Sequence, residues 1–168
     1  ETMRDIGPSM SPHSAFLILQ GLETLSMRMK QHVENTRLLL DWLQQQDEVM
    51  WVNHPDLESN ASHAIARQLF PSGAGSILCF GVVGSRTGGA AFINALQLAS
   101  NLANVGDSRT LVLHPASTTH SRMDAEAMQG AGISEDLIRV SVGIEDISDI
   151  RNDFARGLKA AQRVAGES

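Results

Sequence analysis

Apolar residues recur mostly at three- and four-residue steps near the start of the chain, at Phe16, Leu19, Leu22, Leu25, Met29 and Val33, behind the N-cap and first-turn pair Ser11-Pro12. That spacing predicts one long helix over 11–45. The pattern then changes. Val49, Met50, Trp51 and Val52 form a strand-like run broken at His54-Pro55, and 62–70 reads as a short helix ended by Pro71-Ser72-Gly73. An apolar run at 76–83, bounded by glycines, predicts a strand, and the Ala, Ile and Leu content of 89–103 predicts a helix packed on a sheet. Further along, the pattern predicts a strand at 110–113 stopped by Pro115, a short helix at 124–129 with Gly130 past its end, a strand at 137–142 and an amphipathic helix at 146–164.

A helix followed by strands alternating with helices predicts an α/β chain with one sheet and helices against it; strands this few can also pair antiparallel as an α+β layer. At 168 residues the chain is expected to be one domain. Hydrophobic residues at 42% and charged residues at 19% describe an ordinary globular mix. The net charge of −6 leaves no basic excess for phosphates, so neither nucleic acid nor an anionic membrane is the expected partner. The single cysteine, Cys79, sits in Ser76-Ile-Leu-Cys-Phe80 and is expected to be an inert thiol in a buried strand. No apolar run is long enough to span a bilayer, the first residues lack a signal peptide's pattern, and a cytoplasmic location is expected. The chain does not begin with Met, which suggests a piece of a longer protein.

The sharpest local signal is Leu137-Ile-Arg-Val-Ser-Val-Gly143. Alternation puts Ile138, Val140 and Val142 on one face and Arg139 and Ser141 on the other, so the arginine leaves the packed face. A guanidinium fork suits a bidentate grip on a carboxylate, which makes Arg139 a candidate anchor for an amino-acid substrate. The same pattern also fits a structural pair with Glu135 or Asp136, or a solvated edge residue. Asn104-Val-Gly-Asp-Ser-Arg-Thr-Leu111 reads as a helix exit through Gly106, where Asn104 offers both a donor and an acceptor; many such segments are only turns. His114-Pro-Ala-Ser-Thr-Thr-His-Ser121 has the composition of a polar loop lining a cleft. No carboxylate stands at recognisable spacing to orient either histidine, and no serine sits in a Gly-x-Ser-x-Gly elbow, which argues against a hydrolytic triad. No ligand cluster suggests a metal. Gly81-Val-Val-Gly-Ser-Arg-Thr-Gly-Gly89 matches no phosphate-loop pattern and reads as a strand-to-helix turn. His13, His32, His54 and His63 are expected to be solvated.

Together the motifs resemble the Cys/Met-metabolism pyridoxal-phosphate enzymes of aspartate-aminotransferase-like fold. The matching pieces, in family order, are Met10-Ser-Pro12, Gln20-Gly-Leu-Glu-Thr-Leu-Ser-Met-Arg-Met29, Asn101-Leu-Ala-Asn-Val-Gly-Asp107, His114-Pro-Ala-Ser-Thr-Thr-His-Ser121 and Ile138-Arg-Val-Ser-Val-Gly-Ile-Glu-Asp146. They cover essentially the whole chain. Within the family the wording is most similar to the O-acetylhomoserine sulfhydrylases, with Asn104 the discriminating position.

The resemblance implies a small C-terminal substrate-binding domain, a mostly antiparallel sheet of about four strands covered by helices after a long first helix. It implies γ-replacement, in which sulfide takes the place of acetate to give homocysteine. Arg139 would hold the substrate carboxylate, Asn104 and the main chain at Val105 would touch the same group, and the loop with Ser117 and Thr119 would border the site. It also implies pyridoxal 5'-phosphate as cofactor, held on an N-terminal domain absent here, together with homotetramers built from dimers. The chain departs from the family pattern in lacking the Schiff-base lysine. Its two lysines, Lys30 and Lys159, follow no Ser-x-Thr-Lys pattern, and it contains no tyrosine. No catalytic or cofactor-binding residue is therefore expected in this chain. Two rivals remain: a methionine γ-lyase or cystathionine γ-synthase using the same Arg139, and a non-catalytic α/β interaction module in which Arg139, Asn104 and Ser117 do not converge.

Overall fold

Strands and helices follow one another much as the apolar spacing predicts, with boundaries that shift at two places. The computed structural model describes residues 7, 9–118, 123 and 125–167. Helix α1 (Pro12–Glu23) starts behind Ser11, whose Oγ accepts the Ser14 N–H at 3.1 Å. The single helix expected over 11–45 is in fact two. It breaks at Thr24, and α2 (Leu25–Leu43) follows. Arg28 reaches back across the break, donating to the Gly21 carbonyl at 3.0 Å and to the Thr24 hydroxyl, which satisfies groups the broken ladder releases. Helix α1 has no buried residue, whereas α2 buries Leu39, Leu40 and Leu43 together with His32, Asn35 and Thr36.

Next come β1 (Val49–Asn53), α3 (His63–Leu69), β2 (Ile77–Val82), α4 (Ser85–Ala95), β3 (Ser100–Asn101) and β4 (Leu111–Leu113). A 3-10 turn (Pro115–Ser117), α5 (Ala125–Gly130), β5 (Leu137–Ser141) and α6 (Ile147–Gly166) complete the chain. The five strands order as β1-β2-β5-β4-β3, antiparallel except for the β3–β4 pair. The mostly antiparallel α/β sheet is as expected, with β3 added inside the stretch 89–103 that was expected to be helical.

That helix starts earlier and stops earlier than its composition suggests, for two reasons. Gly84, left-handed at φ 82°, turns the chain directly out of β2. At the other end the buried carboxylate of Asp153, on α6, captures the N–H groups of Gln97, Leu98 and Ala99 at 2.8, 3.0 and 2.9 Å. Those amides are withdrawn from a helical ladder and the chain runs on into β3.

The core lies on one sheet face, where Leu78, Phe80, Val82, Val112, Ile138, Val140 and Val142 meet α2, α4 and α6. Phe92 stands edge-on to Phe80 and to Phe154, with ring centroids 5.4 Å away in both cases. Gly157 makes room for that ring, since a Cβ there would lie 2.6 Å from Phe92 Cδ2. No helix among the described residues is long and apolar enough to cross a membrane.

Two histidines expected at the surface are buried. His32 and His54 are each 1% exposed. His32 donates from Nδ1 to the Val142 carbonyl at 2.7 Å, and His54 Nδ1 accepts the Asp56 N–H at 3.0 Å. His13 is exposed and His63 half-buried.

Asp153 and His54 give the fold a pH dependence. Burial alone would raise the Asp153 pKa, but the hydrogen bonds from Ala99, Arg156, Gln97 and Leu98 outweigh it and hold the carboxyl below its ordinary 3.8. Its contribution is complete above pH 3.8 and is lost as pH falls below that value, because the unfolded chain protonates first. Burial pushes His54 below 6.5 against the pull of Asp56, so its contribution is complete above pH 6.5 and declines below it. Asp153→Asn is expected to cost about 2–4 kcal/mol in urea unfolding at neutral pH, since an amide NH2 would face donors. His54→Gln is expected to flatten the loss of stability just below pH 6.5.

Candidate functional site

The sheet face away from the core carries the other set of alternating side chains. Register places Arg139 opposite Leu113 on β4 and opposite Cys79 on β2, and Cys79 opposite Asn53 on β1. The next row toward the start of β5 is Leu137, Gly81 and Trp51, and the row on the other side is Leu111, Ser141 and Ile77.

Arg139 is half-buried, and among the described residues nothing gives its guanidinium a hydrogen bond or an ion pair. The structural pairings that the sequence left open are not made. Glu135 pairs with Arg86 at 3.6 Å, and Asp136 Oδ2 accepts the Trp51 indole N–H at 2.8 Å. Cys79, expected in the core, is half-buried on this same face. Burial pushes its thiol pKa up, while the positive charge of Arg139 across the ladder pulls it back.

The strand that presents Arg139 is held at its far end by polar groups. Asn35 donates to the carbonyls of Gly143 and Glu145 at 3.0 and 2.8 Å, and His32 to that of Val142. The Glu145 carboxylate accepts the Thr110 N–H at 2.7 Å and the Thr110 hydroxyl at 2.9 Å, and the Gly143 N–H returns to Thr110 Oγ1 at 2.9 Å. Only glycine fits at 143, where a Cβ would stand 2.4 Å from the Thr110 nitrogen.

The other predicted site residues lie on the segments that leave β4 and β3. Ser117 closes the 3-10 turn that follows β4, and its hydroxyl meets His114 Nδ1 at 2.8 Å. His114 Nε2 faces the Glu135 carbonyl at 2.8 Å. A carbonyl only accepts, so Nε2 carries the proton and Nδ1 receives the serine's. The third partner of this Ser-His pair is thus a carbonyl and no carboxylate, which fits a turn lock better than a nucleophile. Gly89 leaves space for the buried imidazole, since a Cβ there would lie 2.5 Å from His114 Nε2. Asn104 and Val105 sit on the exposed loop after Leu102, whose N–H bonds the Val112 carbonyl at 3.2 Å. Asn104 Oδ1 accepts the Val105 N–H at 2.9 Å, and Gly106 is left-handed at φ 76°. None of Asn104, Val105 and Ser117 is hydrogen-bonded to Arg139; Thr119 and His120 lie outside the described residues.

Trp51, Gly81, His32, Asn35 and Glu145 escaped the sequence reading. Gly81 carried a usable signal, because a lone glycine inside an apolar strand marks close approach of another group. The other four depend on partners far away in sequence.

An α/β fold with one sheet face walled by helices, and on the other a half-buried guanidinium with no partner among the described residues, defines the class of protein: a sheet fold that offers a cation on its second face. Residues 1–159 match the family described as Cys/Met metabolism PLP-dependent enzyme, and the chain belongs to that family. It is 48% identical over 161 residues to homocysteine synthase of Schizosaccharomyces pombe, a match taking in 96% of this chain and 38% of that protein. Two solved structures are similar in fold. One, reported for sulfur transfer by O-acetylhomoserine sulfhydrylase of Wolinella succinogenes, has a TM-score of 0.81 at 35% identity over 94% of this chain and 42% of that one. The other, cystathionine gamma synthase of Xanthomonas oryzae pv. oryzae in complex with aminoacrylate and cysteine, has a TM-score of 0.86 at 36% identity over 95% and 41%. The chain thus spans well under half the length of the relatives it matches.

Gly81→Ala is expected to destabilise the domain by about 1–3 kcal/mol in urea unfolding. The added methyl would lie 2.1 Å from Trp51 Nε1 and 2.2 Å from Asp136 Oδ2.

Proposed function

We propose that this chain is the C-terminal, substrate-binding domain of an O-acetylhomoserine sulfhydrylase, a longer enzyme that replaces acetate by sulfide to form homocysteine. The observation that carries the reading is the half-buried guanidinium of Arg139, without a partner among the described residues, in a chain 48% identical to a homocysteine synthase. A planar fork grips a carboxylate or a phosphate bidentately, and the proposed substrate and product, both amino acids, each carry a carboxylate. The group exchange balances as one C–O bond broken at Cγ, one C–S bond formed and acetate released. Arg139 contributes positioning: a carboxylate fixed at one end of the substrate sets where the rest of the molecule lies. Asn104, the main chain at Val105, Ser117 and Thr119 would border that site.

The residues of this chain do not fit pyridoxal phosphate. Lys30 on α2 and Lys159 on α6 are both exposed and neither lies on the sheet face with Arg139; the chain has no tyrosine to stack on a pyridine ring. The cofactor is assigned to an N-terminal domain, and no step of the chemistry is placed on these residues. Helix α1 supports a missing neighbour, because Phe16, Leu17, Ile18, Leu19 and Leu22 are all at least half exposed. That neighbour is the chain's own N-terminal domain, within a cytoplasmic homo-oligomer.

A second reading, cystathionine γ-synthase, is supported by the fold match to that enzyme, at 36% identity and a TM-score of 0.86. It would use the same Arg139, with the thiol of cysteine in place of sulfide.

The test joins this chain to a PLP-binding domain of the kind its relatives carry and measures cofactor absorbance and product from O-acetylhomoserine with sulfide or with cysteine. The joined protein should be yellow and release homocysteine, and the chain alone should be colourless and inactive. Arg139→Ala should raise KM about 10- to 100-fold while the colour stays. Product with cysteine only would move the assignment to the second reading, and failure to take up pyridoxal phosphate would overturn both.

A further inference from the structure

The acidic residues that precede β5 are the natural competitors for Arg139, and one of them lies over a position diagonal to it. Cys79 faces Arg139 and Gly81 faces Leu137, so Gly81 is the diagonal neighbour of Arg139, about 7–8 Å away on the same face. The space above Gly81 holds the Asp136 carboxylate, since a Cβ on that glycine would come within 2.2 Å of Asp136 Oδ2. A negative charge therefore lies over the diagonal neighbour of a guanidinium that has no partner among the described residues. The two are nevertheless not paired. Asp136 Oδ2 instead accepts the Trp51 indole N–H at 2.8 Å, and Trp51 is fixed by its own register opposite Gly81 on β1.

Resting on the reading of Arg139 as the carboxylate anchor, we propose that Trp51 is a positioning residue whose indole N–H holds Asp136 off Arg139 and so keeps the guanidinium free for substrate. The physical requirement is clear. An internal carboxylate within reach competes at very high effective concentration with any carboxylate from solution. A neutral donor such as an indole can tether the competing oxygen without adding a second charge to the site. Gly81 is part of the device, because any side chain there would displace both members of the pair. Arg86 holds the other acidic neighbour, Glu135, through a more exposed contact at 3.6 Å, and its contribution is correspondingly smaller.

The experiment uses the longer enzyme containing this chain and compares Trp51→Phe, Asp136→Asn, the double variant and Arg139→Ala in steady-state kinetics with O-acetylhomoserine. Trp51→Phe keeps a packed ring but has no N–H to give. The expected result is a KM raised about three- to ten-fold with kcat within about two-fold, the scale of one competing part-buried ion pair. In Trp51→Phe/Asp136→Asn the KM should return to that of Asp136→Asn alone, because the competitor has lost its charge. An unchanged KM in Trp51→Phe, or a rise that persists in the double variant, overturns the proposal, since the ring would then act by packing or not at all. If Trp51→Phe yields too little folded enzyme, Arg86→Ala and its rescue by Glu135→Gln test the same principle on the other carboxylate, and absence of rescue counts against it. A KM untouched by Arg139→Ala would instead remove the carboxylate-anchor reading itself, whatever Trp51→Phe does.

Discussion

The polar knot at the end of β5 is the constraint on which the rest of the arrangement depends. Three successive groups of that strand's exit, the carbonyls of Val142 and Gly143 and the N–H of Gly143, are held by His32, Asn35 and Thr110. Glu145 completes the knot by clamping Thr110 from both its N–H and its hydroxyl. Charge-assisted and buried hydrogen bonds of this kind are costly to leave half made, so α2, the start of β4 and the exit of β5 must assemble together or not at all. Strand β5 is thereby pinned at a definite height and rotation, and with it the direction in which Arg139 points.

The two faces of the sheet divide the work. The helix-covered face is a close-packed set of aliphatic side chains around three phenylalanines, where geometry is decided by shape. The other face sets one charged side chain, Arg139, among Leu113, Cys79, Leu137 and Trp51. Glu135 is engaged by Arg86 and Asp136 by Trp51, and among the described residues the guanidinium between β4 and β2 has no partner. A half-buried arginine without a partner among the described residues calls for an explanation, and the proposed one is a ligand's carboxylate.

Much of this was legible in the sequence, and the parts that were not share a physical reason. The alternation of Ile138, Val140 and Val142 against Arg139 and Ser141 is a local property of one strand, and the structure keeps it. The end of α4 was misplaced because the residue that stops it, Asp153, is more than fifty positions away, and composition at 96–103 carries no trace of it. His32 was misjudged for the same reason: its place on α2 shows its neighbours on that helix but not the Val142 carbonyl, 110 positions away, that it serves. The freedom of Arg139 is of this kind too, because it is a statement about what Trp51 and Arg86 do elsewhere. Thr24 is different. Its break is local, yet the apolar spacing runs through it unbroken, and only the side chain of Arg28 reveals the step.

The pairing of Trp51 with a carboxylate also has an optical side. The chain has two tryptophans and no tyrosine, so its near-ultraviolet emission is dominated by Trp42 and Trp51. Trp42 packs against the aliphatic core, whereas the Trp51 indole donates to an anion over the diagonal neighbour of Arg139. The emission of that second indole responds to the local field, which makes the domain its own reporter: a change of charge beside Arg139 is converted into a change of colour and intensity by a chromophore the sequence already carries.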